Sequence, residues 1–245
     1  GAVVIPTQLQ TATAQTSSNN RALSISADQQ EYNAKNEVVL IRGNVQISYP
    51  ARQIKATAAL GQFFVRQNQS DLTGGVYILQ GGKNSIRGEK ATYLVNEGRF
   101  IATPKSGSQV VSTYVVNNTN ARNQASTGNG PLTIRANLQE YNSNTRIATG
   151  SGNVKLSYPA RQIKATAAQA QFFEREQRII LSGGVYILQD GKNSIRGETV
   201  TYLIDEQRFV AAPKSGGRVE STYIVDDIPT QSNQAPSTPR LRRNN

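Results

Sequence analysis

The chain has 245 residues, enough to bury one large or two small hydrophobic cores. It contains no histidine and no cysteine, which excludes histidine-based acid–base catalysis, thiol catalysis, disulfides, and thiolate or imidazole metal sites. A net charge of +11 favours an anionic partner such as phosphorylated lipid, an acidic membrane surface or nucleic acid, although a generally basic surface would give the same value.

The start of the chain predicts export. It begins at Gly1 and contains no methionine, so we expect a processed product. A removed signal peptide explains this, as does a cloning boundary. The longest apolar runs, such as Val38–Ile41, have the length of a buried strand, whereas a membrane-spanning helix needs about 18 apolar residues.

From residue 21 onward, apolar residues alternate with polar ones. The pattern is clear at Val45 and Ile47, along Ile54–Ala58, and at Val76 and Ile78, with glycine or proline between these runs. Alternation with period two is typical of strands, and no segment sustains the spacing of an amphipathic helix. The sequence therefore predicts an almost entirely β protein.

The strand pattern occurs twice. Tyr49–Ala59 returns unchanged at Tyr158–Ala168, an offset of 158 − 49 = 109 residues. A gapless alignment of 22–116 with 131–225 has 58 identities in 95 positions, which establishes a duplication. We predict a flexible segment at 1–20, β units at 21–116 and 131–227, a polar connection at 117–130 between them, and a flexible, basic, proline-containing tail at 228–245.

Each unit is long enough for about eight to ten strands. Such a meander must curl, stack or close to bury its apolar face, so a jelly roll, a sandwich and a solenoid-like roll are all open at this point.

Four sequence blocks resemble the LptA/OstA-like family, the periplasmic β-jelly-roll proteins of lipopolysaccharide transport in envelopes of the Gram-negative type. They are Leu23–Asp28, Gly43–Val45, Ile54–Ala56 and Ile86–Val95. The last block is the most specific, and Ile195–Ile204 repeats its pattern. The resemblance implies an elongated, partly open antiparallel β-jelly roll with two tandem units.

The resemblance also implies a function. The protein would bind the acyl chains of lipid A in an apolar interior groove and carry lipopolysaccharide across the periplasm to the outer membrane, as part of a transport bridge. It would need no cofactor and would not be an enzyme. Its partners would be inner-membrane LptC-like and outer-membrane LptD-like β-jelly-roll domains, joined by edge-strand pairing. Head-to-tail self-association is a further expectation, and nucleic acid is not an expected partner.

The predicted lipid-binding residues are apolar positions that alternation places on one sheet face. In the first unit they are Leu23, Ile25, Val45, Ile47, Ile54, Ala56, Phe64, Val76, Ile78, Ile86, Tyr93 and Phe100. In the second unit they are Leu132, Ile134, Val154, Leu156, Ile163, Ala165, Phe173, Val185, Ile187, Ile195, Tyr202 and Phe209. An ordinary filled core would use the same residues. Small residues such as Ala56, Ala58 and Gly88 would leave room for a guest or mark tight packing between layers.

Basic residues recur at matched positions in the two units. The candidates for phosphate contacts on a groove rim are Arg52, Lys55, Lys83, Arg87, Arg161, Lys164, Lys192 and Arg196, with a solvated strand face as the alternative. The repeated acids Glu89, Glu97, Glu198 and Glu206 have basic neighbours and are interpreted as surface charge rather than as a catalytic carboxylate pair.

Three other functions compete with a bridge protein. The first is the periplasmic β-domain of the outer-membrane lipopolysaccharide translocon. The second is a basic β-scaffold that binds polysaccharide or nucleic acid on its surface, and the third is an enzyme that uses only carboxylates. If the bridge function is correct, the duplication would let the second unit continue the groove of the first.

Overall fold

The computed structural model describes residues 22–116 and 129–226. The predicted end segments 1–20 and 228–245, and nearly all of the connection 117–130, lie outside the described residues. Among those described, strands account for the regular structure, apart from 3-10 turns at Pro50–Arg52, Val95–Glu97 and Pro159–Arg161. The all-β prediction is confirmed. No helix in the described ranges is long and apolar enough to cross a membrane.

Each unit contributes eight strands, and the strands of the two units correspond one to one. The first unit has β1 (Ser24–Ser26), β2 (Gln29–Asn33), β3 (Val38–Tyr49), β4 (Ile54–Phe64), β5 (Gln69–Gln80), β6 (Asn84–Leu94), β7 (Arg99–Thr103) and β8 (Val110–Val116). The second has β9 (Gly130–Ala136), β10 (Leu138–Asn142), β11 (Ile147–Tyr158), β12 (Ile163–Phe173), β13 (Arg178–Gln189), β14 (Asn193–Leu203), β15 (Arg208–Ala212) and β16 (Glu220–Thr222).

Every long strand crosses from one layer to the other in its middle, where the pairing register shifts. In β3, residues 38–42 pair with β2, whereas residues 46–48 pair with β1, and the register shifts between Arg42 and Val45. Gly43 and Asn44 lie at this shift with φ of 77° and 47°, values that glycine and asparagine tolerate best. The bulges therefore fold one antiparallel sheet into two layers.

We name the layers by their short strands. Layer A contains β2, β7, β10 and β15 with the adjoining halves of the long strands, and layer B contains β1, β8, β9 and β16 with the other halves. The line of bulges is the spine, and the opposite edge, where the hairpin turns of the two layers face each other, is the mouth.

Both layers run without a break from the first unit into the second. In layer A, β7 pairs with β10, with Phe100 opposite Tyr141. In layer B, β8 pairs with β9 over seven residue pairs, from Val110 opposite Ala136 to Val116 opposite Gly130. The inner faces of the two units therefore form one continuous interior.

Small residues permit close contacts at Gly150 in layer A and at Gly88 in layer B. A Cβ atom added to Gly150 in layer A would lie 3.2 Å from Ile134 Cγ2 in layer B and 3.3 Å from Ala136 Cβ. A Cβ atom added to Gly88 would lie 2.9 Å from the carbonyl oxygen of Thr103. At these positions the small residues permit tight packing, which was one of the two interpretations of the sequence.

The bulge glycines provide a test of this geometry. Gly183 has φ of 82°, and a Cβ atom there would lie 2.5 Å from Ala168 Cβ, whereas the adjacent Gly184 has φ of 56° and open space around it. We expect Gly183→Ala to lower the free energy of unfolding by about 3 kcal/mol and Gly184→Ala by about 1 kcal/mol, because only the former adds a clash to the backbone strain. Urea unfolding followed by circular dichroism measures both, and a larger loss at Gly184 would contradict the assigned bulge.

Candidate functional site

The interior between the layers is lined by nearly all the residues that alternation predicted. Buried there are Val45, Ile47, Ile54, Ala56, Val76, Ile78, Ile86, Tyr93 and Phe100, together with Leu132, Ile134, Val154, Leu156, Ile163, Ala165, Val185, Ile187 and Tyr202. Leu23, Ile25, Ile195 and Phe209 are partly buried and pack against them. The sequence thus identified one apolar surface that both layers share.

Phe64 and Phe173 lie on the outer face, so the prediction that they face the interior was wrong. The bulge shifts the register of β4 between Thr57 and Leu60, so strict alternation from Ile54 fails beyond it. The preceding phenylalanine takes the inner position: Phe172 is 1% exposed, while the Phe173 ring lies 4.3 Å from the Arg178 guanidinium.

Aromatic rings form a row on the inner face of layer A near the mouth. Tyr93 stacks on Phe100 with ring centroids 4.3 Å apart, and Tyr202 stacks on Phe209 at 4.5 Å. Burial raises the pKa of Tyr93 to about 12, so its hydroxyl stays neutral. The stacked pairs are cross-strand neighbours, which stabilises the layer A ladder.

Four further buried aromatic residues were not predicted: Tyr114, Tyr141, Tyr158 and Phe172. Tyr114 lies between the layers, with its ring centroid 5.3 Å from Phe172 and 6.0 Å from Tyr141. The alternation of Val110–Val116 could have identified Tyr114, whereas Phe172 depended on knowing the bulge.

The interior is almost filled by its own side chains. A cavity of about 20 Å³ lies between the layers in the first unit, bordered by Leu23, Ile47 and Ile54 on one side and by Leu72 and Tyr93 on the other. A cavity of this volume holds about one water molecule. In this closed form an acyl chain fits between the layers only if they move apart.

A polar clasp closes the mouth where the two units meet. Glu174, in the turn after β12, is 8% exposed and is bound by residues from both layers. Tyr141 donates a hydrogen bond to Glu174 Oε2 at 2.9 Å, Asn84 Nδ2 donates to Oε1 at 3.3 Å, and Arg146 forms an ion pair with Oε1. Asn84 also accepts a hydrogen bond from the Val115 amide at 3.1 Å. The clasp therefore joins layer B of the first unit to layer A of the second.

Arg52 makes a second contact across the mouth, donating to Asn144 Oδ1 at 2.6 Å. Its copy Arg161 is 9% exposed, and its Nε and Nη2 groups have no hydrogen-bond partner in the described part of the chain. The Arg161 side chain is hydrogen-bonded to Tyr158, and its two unpartnered groups are buried, so an anion reaches them only when the mouth opens.

The predicted phosphate contacts fall into two groups. Arg52, Lys83, Arg161 and Lys192 lie in turns along the mouth. Lys55, Arg87, Lys164 and Arg196 lie on the outer face of layer B instead, because they pair laterally with other outward residues. The predicted rim therefore contains only the first group.

The repeated acids occupy separate surface positions. Glu97 pairs with Arg99 at 3.3 Å and Glu206 with Arg208 at 3.1 Å, all well exposed. Glu89 and Glu198 accept backbone hydrogen bonds at the bulges. Within the described ranges, no three histidine, cysteine or acidic residues are grouped in a way that could hold a metal ion.

A folded antiparallel sheet with an apolar interior, whose end strands lack a further partner within the described ranges, defines a β-jelly roll. Residues 157–208 match the family model "LptA/(LptD N-terminal domain) LPS transport protein". This match lies within the second unit, and over it the chain is similar to the LptA/LptD N-terminal (OstA-like) family.

The similar curated proteins are distant. The lipopolysaccharide export system protein LptA of Escherichia coli K12 and that of Shigella flexneri are each 26% identical over 85 residues. That segment is 35% of this chain and 45% of the relative, so the chain spans about half the length of the curated relatives it matches. A crystal structure of LptH from Pseudomonas aeruginosa, described as a periplasmic component, aligns with 84% of this chain and 97% of its own at 15% identity and a TM-score of 0.26.

The clasp predicts a pH-dependent contribution to stability. Burial alone would raise the pKa of the Glu174 carboxyl, but hydrogen bonds from Arg146, Tyr141 and Asn84 outweigh it and hold the pKa below its ordinary value of 4.5. The stabilisation is therefore present above that value and is lost as the pH falls through the lower folded-state pKa. We expect Glu174→Gln to lower the free energy of unfolding by about 2 kcal/mol at neutral pH. Below about pH 4 the difference in this free energy between the variant and the unmodified protein should become smaller.

Glu206→Gln is the matched control, because it removes an exposed carboxylate from a similar turn. Its effect should stay below about 0.5 kcal/mol. Chemical denaturation at several pH values measures both variants. If Glu174→Gln remains equally destabilised at low pH, the ionised carboxylate is not the source of the lost stability.

Proposed function

We propose that this protein binds lipopolysaccharide, with the acyl chains of lipid A between layers A and B, and carries it across the periplasm to the outer membrane within a transport bridge. The observation that supports this most is the apolar interior, which passes through both units without interruption. A signal peptide removed on export would place the protein in the periplasm.

The cost of exposing acyl chains to water favours transport through an apolar interior. Exposing ten methylene groups to water costs about 8 kcal/mol per acyl chain, so several chains need a continuous apolar surface. Opening the layers separates apolar contacts that the acyl chains then replace. The contacts at the mouth are polar, like Asn84 with Glu174, and water can satisfy their groups once they part. The bulged spine serves as the hinge.

Once the mouth opens, the Nε and Nη2 groups of Arg161, which have no partner in the described ranges, suit the charged end of the same ligand. With the acyl chains between the layers, the phosphorylated sugars would lie at the mouth. Arg161 could then form charge-assisted hydrogen bonds to a phosphate, and Lys192 lies in a neighbouring turn of the same layer.

The ends of the sheet are suited to pairing with other jelly rolls. Tyr141 is 4% exposed at the internal junction, whereas its copy Tyr32 on the free edge strand β2 is 58% exposed. Tyr114 is 2% exposed at the junction, and its copy Tyr223 beyond β16 is 64% exposed. The same side chains are buried where a neighbouring unit exists, so we propose that LptC-like and LptD-like domains, or a second copy, cover the two ends by strand pairing.

The junction gives the register for such pairing. In the repeat, β15 corresponds to β7 and β2 corresponds to β10. The β15 strand of one copy would therefore pair with β2 of the next as β7 pairs with β10, which places Phe209 opposite Tyr32. The clasp would not form between two copies, however. The position of Glu174 is held by Val65 in the first unit, and the position of Asn144 by Lys35, which would face Arg161. A partner with acceptors at these positions would therefore fit the end with β15 and β16 better than a second copy does.

The family model that matches covers both LptA and the LptD N-terminal domain. A β-domain preceding an outer-membrane translocon is therefore the second candidate. It would use the same interior, and it differs in requiring a translocon on the same polypeptide.

Neighbouring phenylalanines test the lipid path with a matched control. A photo-reactive phenylalanine analogue at Phe172, which faces the interior, should capture purified lipopolysaccharide at least about tenfold more than the same analogue at Phe173, which faces outward. Phe63 and Phe64 repeat the comparison in the first unit. Equal capture from both positions, or capture from Phe173 alone, would refute an interior path.

Transplanting the clasp tests the pairing register. The triple variant Lys35→Asn, Glu37→Arg and Val65→Glu gives the first unit the residues of Asn144, Arg146 and Glu174. We expect its head-to-tail association to strengthen by about tenfold, because Asn193 and Arg161 of one copy then meet acceptors on the next.

Sedimentation velocity measures this association. Adding Asn193→Ala to the triple variant should remove much of the gain, because Asn193 is the copy of the clasp residue Asn84. A gain that survives Asn193→Ala unchanged would contradict the register, and unchanged association in the triple variant would contradict edge pairing between copies.

A further inference from the structure

The outer face of layer B carries a row of basic side chains that the proposed lipid path does not use. Lateral pairing connects one row across seven strands from β6 to β14: Arg87, Val111, Arg135, Lys155, Thr166, Tyr186 and Arg196. Lys55 and Lys164 lie on the same face, nearer the mouth. At about 4.8 Å per strand, the six steps of this row span about 29 Å.

Positive charge is concentrated on this face. Outside the bulges, the outward strand positions of layer B hold the basic residues Lys55, Arg87, Arg135, Lys155, Lys164 and Arg196, and a single acid, Glu220, in the last strand. The outward strand positions of layer A hold Arg42, Lys90, Arg99, Arg178 and Arg208 together with the acids Glu31, Asp71 and Glu140. The outward strand positions of layer B thus carry a net charge of +5, and those of layer A carry a net charge of +2.

The basic residues of layer B are held open to solvent. Within the described ranges, none of the six forms an ion pair or donates a hydrogen bond, and all are exposed. The Arg87 guanidinium lies 4.2 Å from the centre of the Tyr77 ring, and Arg196 lies 4.3 Å from that of Tyr186. Each stack fixes the guanidinium plane and leaves its N–H edge free for a carboxylate or phosphate.

We propose that the outer face of layer B binds an acidic polysaccharide along this row. Thr133, Ser157 and Thr166 lie between the cations and can bond the hydroxyl groups of sugars, and Leu188 and Tyr186 beside them offer apolar surface to the faces of sugar rings. Lys155, Lys164 and Arg135 border one shallow depression on this face, which gives a saccharide chain a place to lie.

The shape of the face favours a flexible sugar chain over two other polyanions. Strands of a sheet rotate by about 20° each, so the row winds through about 120° and a flat bilayer would touch only part of it. Bases of single-stranded nucleic acid need exposed aromatic faces, but Tyr77 and Tyr186 are half-buried and covered by arginines.

Polygalacturonate, a carboxylated homopolymer, is the probe, with dextran as its neutral counterpart. We expect the unmodified chain to bind polygalacturonate in a salt-sensitive manner and not to bind dextran. The triple variant Arg135→Gln, Lys155→Gln and Lys164→Gln should weaken binding by about tenfold. The matched variant Arg42→Gln, Lys90→Gln and Lys105→Gln removes the same charge elsewhere and should change binding less than about twofold.

Calorimetry measures the affinities, and thermal melting checks that both variants stay folded. Equal weakening by the two variants would mean that net charge alone attracts the polymer, and would overturn the proposal. So would absence of polygalacturonate binding, or tighter binding of oligothymidylate or of phosphatidylglycerol vesicles through the same three residues. Lipopolysaccharide capture at Phe172 reports on the interior separately, so failure of one proposal leaves the other standing.

Discussion

The register shift in the middle of every long strand is the constraint on which the rest of the molecule depends. Gly43, Gly74, Gly152 and Gly183 adopt positive φ in β3, β5, β11 and β13, where these strands turn from layer A into layer B at the spine, and the strands paired with them cross beside them. One sheet can then bury its own apolar face without a second sheet or a helix. The same turn gives the interior a fixed edge at the spine and an edge at the mouth that is held by side chains.

The mouth is the only one of these edges that can part without breaking a strand. At the spine, separation of the layers would break covalent chain and ladder hydrogen bonds, whereas at the mouth it breaks side-chain contacts such as that of Asn84 with Glu174. The closed interior, with room for about one water molecule, is therefore compatible with a carrier only if the layers move apart at the mouth. Layers joined by hairpins at both edges would have no such freedom.

Much of the fold could be predicted from the sequence because period-two alternation and a gapless repeat are strong signals. They identified the strands, the two units and almost the whole inner face. Phe64 and Phe173 were misplaced because a bulge adds one residue to the count, and the sequence does not mark the bulge in β4 with a glycine. Lys55 and Arg87 were expected on a rim but lie on the outer face of layer B. The sequence could not show this, because the lateral neighbours of a residue depend on strand register, which is set by tertiary pairing. Glu174 gave no signal, since its partners are 28 to 90 residues away in sequence.

The sequence differences between the two units identify the residues that are specific to the junction. Val65, Lys35 and Glu37 of the first unit become Glu174, Asn144 and Arg146 in the second. Glu174 and Asn144 contact Asn84 and Arg52 of the first unit across the mouth, and Arg146 binds Glu174. Their targets Arg52 and Asn84 recur unchanged as Arg161 and Asn193 at the far end, where the described chain offers them no clasp. The duplication thus gave the junction between the two units its clasp within a single chain. At the far end, Arg161 and Asn193 remain without the corresponding partners in the described ranges. Since backbone pairing alone is indifferent to the identity of the next jelly roll, side chains at the mouth are what can select it.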